Sequence, residues 1–377
     1  MKPANQKGCQ QERWGLFRRS PPWILVRLLS TGISLIICLS HFVLCLEGRS
    51  PRPVEKIIRV KELQSFIDIN KVDENYFFNS PNQIEVLEGK IYVLDNINSQ
   101  LKIFDLGGRH LKTIGKKGKG PEEFFDPDGF YLDRARQRIF IADTRGSRLQ
   151  IYSFEGKLQK SIKLSFQPCK VTLIDNKVYL LAFPSGAVLD QGEPLVKIYD
   201  LYEDKIADSF HKPFKARDWV VSVLMNSMLM KKDRAGNLVI ACQLGDNKIE
   251  VFNKDKKLLC QFNIIYKGEQ FSPVNPDIVF KSDRDAEKIA LVVSDIAFDA
   301  KNNYYFLAGY TGKDEKGELE KGREIYIYDS EGNYKATIGL PVSAKLLTLD
   351  EDDNLYVVDQ SFMIRKYALI KDDKEQW

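Results

Sequence analysis

The chain has 377 residues, of which 44% are hydrophobic and 11% aromatic, so it can bury a large core in one all-β domain or in two ordinary domains. Its 56 Lys and Arg residues nearly balance its 52 Asp and Glu residues, which leaves a net charge of +4. This small charge, with both signs interleaved along the chain, gives no basic footprint for nucleic acid, and we expect no nucleic-acid partner.

The first predicted element is an apolar segment at 28–46 that contains no acidic residue, lysine or arginine. About 19 apolar residues suffice to cross a bilayer core of roughly 30 Å. The basic segment 1–27 should stay in the cytoplasm, because positive flanks are retained there. The sequence therefore predicts a single-pass signal anchor in the cell membrane, with the rest of the chain in the periplasm or outside the cell.

Two alternatives stay open for this segment. Cleavage after a signal sequence would release a secreted protein, although 28–46 is longer than most signal-peptide cores. Lipidation of Cys45 would require a small residue where Leu44 stands. A Pro-containing linker is predicted at 47–54. Beyond it lie Cys169, Cys242 and Cys260, an odd number with no metal-site or redox spacing, and we predict that they are unpaired.

From 55 to 370 the chain alternates short Val/Ile/Tyr/Phe-rich runs with Gly/Asn/Asp turns, which indicates β-strands. Segment 90–108 aligns without a gap on 138–156, an offset of about 48 residues, and degenerate copies follow. The pattern predicts an all-β, six-bladed β-propeller of four-stranded antiparallel blades. A strand near 55–63 would close the ring beside the last strand and so remove exposed sheet edges. A tail is predicted at 371–377.

The second repeat carries recognisable motifs: GKGPEEF at 118–124, PDG at 127–129 and RIFIAD at 138–143. This segment resembles an NHL repeat, although Glu122 stands where that family usually has glycine. The resemblance implies the architecture of the exported or membrane-anchored six-bladed propellers of bacteria. Such a resemblance identifies architecture better than activity.

Catalytic residues and cofactors are not predicted. Propeller enzymes with NHL-like blades, such as the amidating and streptogramin lyases, are built around channel histidines. Here His110 falls in an outer-strand turn and His211 in an inter-blade linker, so we do not expect them to meet. Asp95, Asp143 and Asp359 share one repeated position after the second strand, where capping of a turn is the expected role. The alternative is a metal-dependent hydrolase or lactonase with acidic ligands in the central channel.

Function is predicted at one end of the propeller, where the longest irregular segments meet, because long loops on a rigid scaffold commonly carry binding. These segments are 115–126, 183–194, 211–221, 266–289 and 309–322. We predict a non-enzymatic domain that binds a protein or a polar or zwitterionic small molecule at the channel mouth. The candidate residues, taken as exposed strand starts and loop positions, are Asp128, Lys170, Asp295 and Lys345 at the mouth, with Lys116, Lys117 and Lys119 at the rim.

Overall fold

The computed structural model describes residues 56–66, 73–266, 269–270, 291–313 and 319–370. The predicted segments 1–27, 28–46 and 47–54 and the tail 371–377 lie outside the described residues, as does most of the predicted loop 266–289. Within the described ranges, no helix is long and apolar enough to span a membrane.

Four sheets share one plan, in which four consecutive strands pair with their neighbours in antiparallel fashion. Their strands are β2 (Pro81–Leu87), β3 (Lys90–Asp95), β4 (Gln100–Asp105) and β5 (His110–Ile114); β6 (Pro127–Asp133), β7 (Arg138–Asp143), β8 (Arg148–Ser153) and β9 (Leu158–Lys163); β10 (Pro168–Ile174), β11 (Lys177–Ala182), β12 (Val196–Asp200) and β13 (Lys205–Phe210); β14 (Met228–Lys232), β15 (Leu238–Cys242), β16 (Lys248–Phe252) and β17 (Leu258–Asn263).

A fifth sheet has eight strands and joins the two ends of the domain. Its spatial order is β20 (Val293–Phe298), β21 (Tyr304–Ala308), β24 (Glu324–Tyr328), β25 (Tyr334–Gly339), β1 (Ile57–Phe66), β28 (Ile364–Ile370), β27 (Leu355–Asp359) and β26 (Ala344–Leu349). Strand β1 runs antiparallel to β28 and touches β25 in parallel register through Ile57 and Ile58. The predicted pairing of the N-terminal strand with the last strand is confirmed.

The sequence repeat is reproduced in the strands. Strands β3 and β7 start at Lys90 and Arg138, and β4 and β8 start at Gln100 and Arg148, so both pairs keep the offset seen in the sequence. The second strand of each sheet is buried almost throughout, as in β7, because neighbouring sheets cover both of its faces. The outermost strands are largely exposed, as in β9.

The first strands of the sheets surround a central axis. Each contacts the next in the cycle β2, β6, β10, β14, β20 and β26, and β26 contacts β2 again. The chain therefore forms an all-β propeller fold, with apolar clusters between adjacent sheets.

Four segments predicted to be irregular contain regular structure, which corrects the sequence analysis. Helix α1 (Gly186–Gln191) lies within 183–194, and 211–221 leads into helix α2 (Trp219–Met225). A hairpin of β22 (Tyr310–Lys313) and β23 (Leu319–Lys321) lies within 309–322, and another short hairpin pairs β18 (Ile265–Tyr266) with β19 (Glu269–Gln270). The reason for α2 is local: the Asp218 carboxylate caps it by accepting hydrogen bonds from the amides of Val220 and Val221.

The three cysteines beyond the linker are free in the structure. Cys242 lies on the second strand and Cys260 on the outermost strand of the same sheet, as the sequence predicted. Strand β16 separates them, so their side chains are not on neighbouring strands.

Candidate functional site

One structural irregularity is repeated around the channel. Five first strands have a β-bulge at their second residue, where the register to the next strand skips one position. A bulge re-aims a side chain that regular pairing would direct elsewhere. Strand β14 keeps regular register. The bulged residues are Asn82, Asp128, Cys169, Ser294 and Lys345.

All five bulged residues line a cavity of about 350 Å³ at the start of the first strands, which we call the mouth cavity. A second cavity of about 570 Å³, the inner cavity, extends along the first strands to the turns that follow them. The residues that line both cavities are Asn82, Lys170, Leu229 and Asp295. The two cavities are therefore adjoining parts of the central channel.

Buried aspartates hold the chain in place just before the bulges. Asp95 accepts hydrogen bonds from the amides of Asn79 and Ser80, directly before β2 begins. Asp143 accepts a hydrogen bond from the amide of Phe125, two residues before β6. Asp359 caps its own turn through the amides of Ser361 and Met363. Asp95 also accepts a hydrogen bond from the amide of Asn98 in its own turn, so the predicted turn-capping role is confirmed for Asp95 and Asp359.

Asp128 and Lys170 meet across neighbouring first strands. The Lys170 ammonium donates to the backbone carbonyl of Asp128 at 2.8 Å, and its Nζ lies 3.4 Å from the Asp128 carboxylate. The side-chain amide of Asn82 donates to the same carboxylate at 2.7 Å. These two predicted site residues therefore neutralise one another at the mouth.

A second ion pair lies at the centre of the channel. The Lys231 ammonium lies 3.1 Å from the Asp295 carboxylate and 3.3 Å from the Glu85 carboxylate. Asp295 also accepts hydrogen bonds from the amides of Ile296 and Leu347. Burial alone would lower the pKa of Lys231, but the two carboxylates hold it above its usual value.

Lys345 differs from the other charged groups at the mouth. Its side chain is partly buried, and no carboxylate among the described residues lies within ion-pair distance. Its ammonium lies 5.4 Å from the centre of the Phe362 ring. Burial lowers the pKa of Lys345, although the negative charge of Asp95 opposes this effect. Lys345 is thus a charged donor without an ionic partner in the described part of the chain.

The expectation that the four mouth residues are exposed strand ends is wrong. Asp295 is 3% exposed, and the side chain of Lys170 is 16% exposed. The physical reason is that first strands crowd around the axis, so each strand start is shielded by its neighbours. All four residues nevertheless line the mouth cavity together, as their positions suggested.

An apolar wall of the mouth cavity was missed in the sequence analysis. It comes from the segment after β11, from α2, from β14, from the chain after β15 and before β20, and from β26. Its residues are Phe183, Pro184, Val223, Leu224, Met228, Leu229, Leu244, Leu291 and Leu346. Asn226, at the end of α2, fixes the helix by bonding both the amide and the carbonyl of Phe214. The run WVVSVLM at 219–225 was the available signal, since an apolar run is unusual in a solvated linker.

The three rim lysines lie in a self-contained turn between β5 and β6, and they line neither cavity. Lys116 pairs with Glu123 at 3.5 Å, and Lys119 stacks on Phe125 at 4.9 Å from the ring centre. Lys117 forms a backbone bridge with Phe124. The turn is stabilised by its own side chains, so the structure does not bring these lysines into the mouth.

The two described histidines belong to separate sheets. His110 bonds Thr113 at 2.9 Å, and His211 bonds Glu250 at 2.9 Å. Neither lines the mouth or inner cavity. In the described ranges, no group of three or more His, Cys, Asp or Glu side chains is arranged to hold a metal ion.

Comparison with solved structures gives proteins that are similar in fold and low in sequence identity. A member of the DUF4221 family from Bacteroides vulgatus is 12% identical, with a TM-score of 0.58 over 84% of this chain and 100% of that chain. A candidate exported protein from Bacteroides fragilis is 13% identical, with a TM-score of 0.54 over 83% of this chain and 95% of that chain. A catalytically inactive virginiamycin B lyase from Staphylococcus aureus is 14% identical, with a TM-score of 0.49 over 84% of this chain and 95% of that chain.

Comparison with curated protein sequences gave no match. A protein-family profile matches residues 72–318, which is more than half of the chain and runs from just before the first four-stranded sheet into the β22–β23 hairpin. The chain belongs to the DUF4934 family, a domain of unknown function.

Proposed function

We propose that this chain is a non-enzymatic binding domain whose ligand occupies the mouth cavity. The observation that carries the proposal is the repeated bulge, because the five bulged residues line one cavity within a ring of strands. Ligand sites are typically concave and mostly apolar, with a few convergent polar groups. The apolar wall beside Asp128, Lys170 and Lys345 fits that description.

The architecture we propose is a six-bladed propeller with NHL-type repeats. Six first strands form the contact cycle around the axis. The eight-stranded sheet divides at the short parallel pairing between β25 and β1, into a blade that starts with β20 and a blade that starts with β26. The second blade takes β1 as its outermost strand, which supports a ring closed by both ends of the domain.

We further propose that the propeller lies outside the cytoplasmic membrane, anchored by 28–46. The basic segment before this uncharged run supports the orientation. The candidate exported protein of Bacteroides fragilis, which has a similar fold, is in keeping with it.

The test of the binding role is a library screen on the full-length chain, with the melting temperature as readout, because a ligand of the native state raises stability by mass action. Each compound that binds is tested again on Ser294→Trp, which fills the mouth cavity from a bulge position. The matched control is Ser330→Trp, in the exposed turn between β24 and β25. We expect the ligand-induced shift to disappear in the first variant and to persist in the second.

Two results would contradict the proposal. Ligands whose shift survives Ser294→Trp would show that binding lies elsewhere. Ligands that are converted to new products by the wild-type chain, as detected by mass spectrometry, would show that the domain is an enzyme.

A further inference from the structure

We infer that the ligand of the mouth cavity is a small amphipathic carboxylate, whose carboxylate binds the Lys345 ammonium and whose apolar body packs against the wall formed by α2 and its neighbours. The inference rests on the proposed function and adds the chemical class of the ligand. It follows from which charges at the mouth are already paired and from where the apolar residues lie.

The first step is the charge balance of the mouth. Lys170 is paired with Asp128, and Asp295 is paired with Lys231. Both pairs also have hydrogen bonds to backbone or amide groups, so they are largely satisfied within the protein. Lys345 alone among the charged residues that line the mouth cavity has no carboxylate partner in the described ranges. One anionic group on the ligand therefore complements the cavity.

The second step is the burial of that lysine. An ammonium that is partly withdrawn from water without an ion pair is costly, and burial indeed lowers the pKa of Lys345. A carboxylate bound beside it would offset this cost through a charge-assisted hydrogen bond. A phosphate monoester carries about −1.5 to −2 charge at pH 7. The remaining residues that line the mouth cavity offer no second unpaired cation in the described ranges to balance it.

The third step is the position of the apolar wall. Lys345 comes from β26, whereas most of the wall comes from α2, from the chain after β11 and from β14, with Leu244 after β15 and Leu291 before β20. Strand β20 lies between β14 and β26 in the contact cycle, so it separates Lys345 from the part of the wall at β14, whereas Leu346 directly follows Lys345 on β26. A ligand with an anionic head and an apolar body matches this division.

The inner cavity is the weaker site for such a ligand, although it is larger. Its central cation, Lys231, is shared by two carboxylates, and its Arg134 is paired with both Glu88 and Glu351. Lys232 and Arg234 also line the inner cavity, and they donate to the Tyr131 hydroxyl and the Phe298 carbonyl oxygen. Charged side chains of both signs surround this cavity, so the apolar share of its lining is smaller than in the mouth cavity and suits the apolar body of the ligand less. The unpaired ammonium of Lys345 lines the mouth cavity and not the inner one.

The experiment uses octanoate, octanamide and octylammonium as probes that share an apolar body and differ in the head group. Each is titrated onto the full-length chain in dodecyl maltoside micelles by saturation-transfer NMR, with protein-free micelles as the blank. We expect octanoate to bind about tenfold more tightly than octanamide, the difference expected for one hydrogen bond to a charged group. Octylammonium should bind more weakly than either.

Variants assign the preference to Lys345. Lys345→Met should bind octanoate and octanamide equally, with the affinity for octanamide unchanged, whereas Lys345→Arg should retain the preference for octanoate. Lys119→Met is the matched control, since this lysine lies in the turn outside both cavities, and it should behave as wild type. N-acetyl-leucylleucine and its amide form a second pair, which tells whether the carboxylate of a fatty acid or that of a peptide C-terminus binds more tightly.

Equal binding of the acid and the amide in both probe pairs would overturn the inference, and so would a preference for acids that survives Lys345→Met. These failures are distinct from a failure of the proposed function. If Ser294→Trp still abolishes the binding of library ligands while the protein binds acids and amides equally, the site is right and the ligand class is wrong. If library ligands ignore Ser294→Trp, the site itself is wrong.

Discussion

Charged residues in the channel are arranged as pairs and triads that were brought together from distant parts of the chain. Lys231 on β14 contacts Glu85 on β2 and Asp295 on β20. A buried ion pair is weak evidence of net stability, but removal of one partner leaves an uncompensated charge. Lys231 therefore matters less for the energy it supplies than for the repulsion between two carboxylates that it prevents.

At this scale we predict that Lys231→Met lowers the free energy of unfolding by about 3 kcal/mol, because Asp295 and Glu85 lose their shared cation. The control is Lys232→Met on the same strand, whose ammonium donates to the Tyr131 hydroxyl at 2.6 Å, and which should cost about 1 kcal/mol. Urea unfolding measures both values.

The decrease in the free energy of unfolding caused by Lys231→Met should also become smaller as the pH falls from about 7 to about 5. Burial raises the pKa of Asp295, and Lys231 opposes this effect, so without the lysine the pKa of Asp295 in the folded variant lies further above its unfolded value. The folded state then binds protons more readily, so its stability increases on acidification. Equal losses in the two lysine variants at all pH values would contradict this account.

Among the elements, five of the first strands combine tight packing with a bulge, and the close approach of β6 to β10 shows how little space remains. A Cβ atom on Gly129 would lie 2.7 Å from the Cys169 carbonyl oxygen and 3.0 Å from the Lys170 Cα. Both neighbours are backbone atoms at the start of β10, so they cannot move aside as a flexible side chain could. Glycine at 129 thus sets the spacing of two strands that line the mouth.

We predict that Gly129→Ala lowers the free energy of unfolding by about 1–3 kcal/mol, the usual cost of overpacking. Gly339→Ala is the matched control, since no heavy atom lies within 4 Å of its added Cβ, and it should change stability by less than about 0.5 kcal/mol. Urea unfolding gives the comparison. A neutral Gly129→Ala would mean that β6 and β10 can separate without cost.

For the whole molecule, closure of the domain depends on β1, which lies far in sequence from the strand that it joins. Val60 pairs with Leu369. Both pack against the apolar cluster that lies between the strands β20, β21, β24 and β25 on one side and β26, β27 and β28 on the other. Lys61, the next residue, is exposed. The junction therefore has one buried face and one solvated face, as the alternation of side chains along a strand requires.

We predict that Val60→Asp lowers the free energy of unfolding by about 2–3 kcal/mol, because it places a carboxylate against this apolar cluster. Lys61→Asp, one residue away on the solvated face, should change it by less than about 0.5 kcal/mol. Hydrogen exchange provides a local readout: the amides of β28 should exchange faster in Val60→Asp alone. Unchanged protection of β28 would show that β1 does not hold the two ends together.

Local order was readable from the sequence because it depends on neighbours in the chain. The alternation of apolar residues and the similarity of 90–108 to 138–156 reflect single hairpins, β3–β4 and β7–β8. The strand that pairs with β28 was also readable, since a sheet with one missing edge strand leaves few partners for 55–63. Helix α2 was missed because its apolar run was taken for part of a linker.

The site was readable only in outline. Asp128, Lys170, Asp295 and Lys345 stand at strand starts in the sequence, and the ring brings these starts to one cavity. The bulges that aim Asn82 and Lys345 inward, the burial of Asp295 and the pairing of Lys231 with Glu85 were decided by the tertiary structure. The reason is that a sequence repeat determines the strands and turns within each blade. Which charge at the axis stays unpaired depends instead on contacts between residues of different blades.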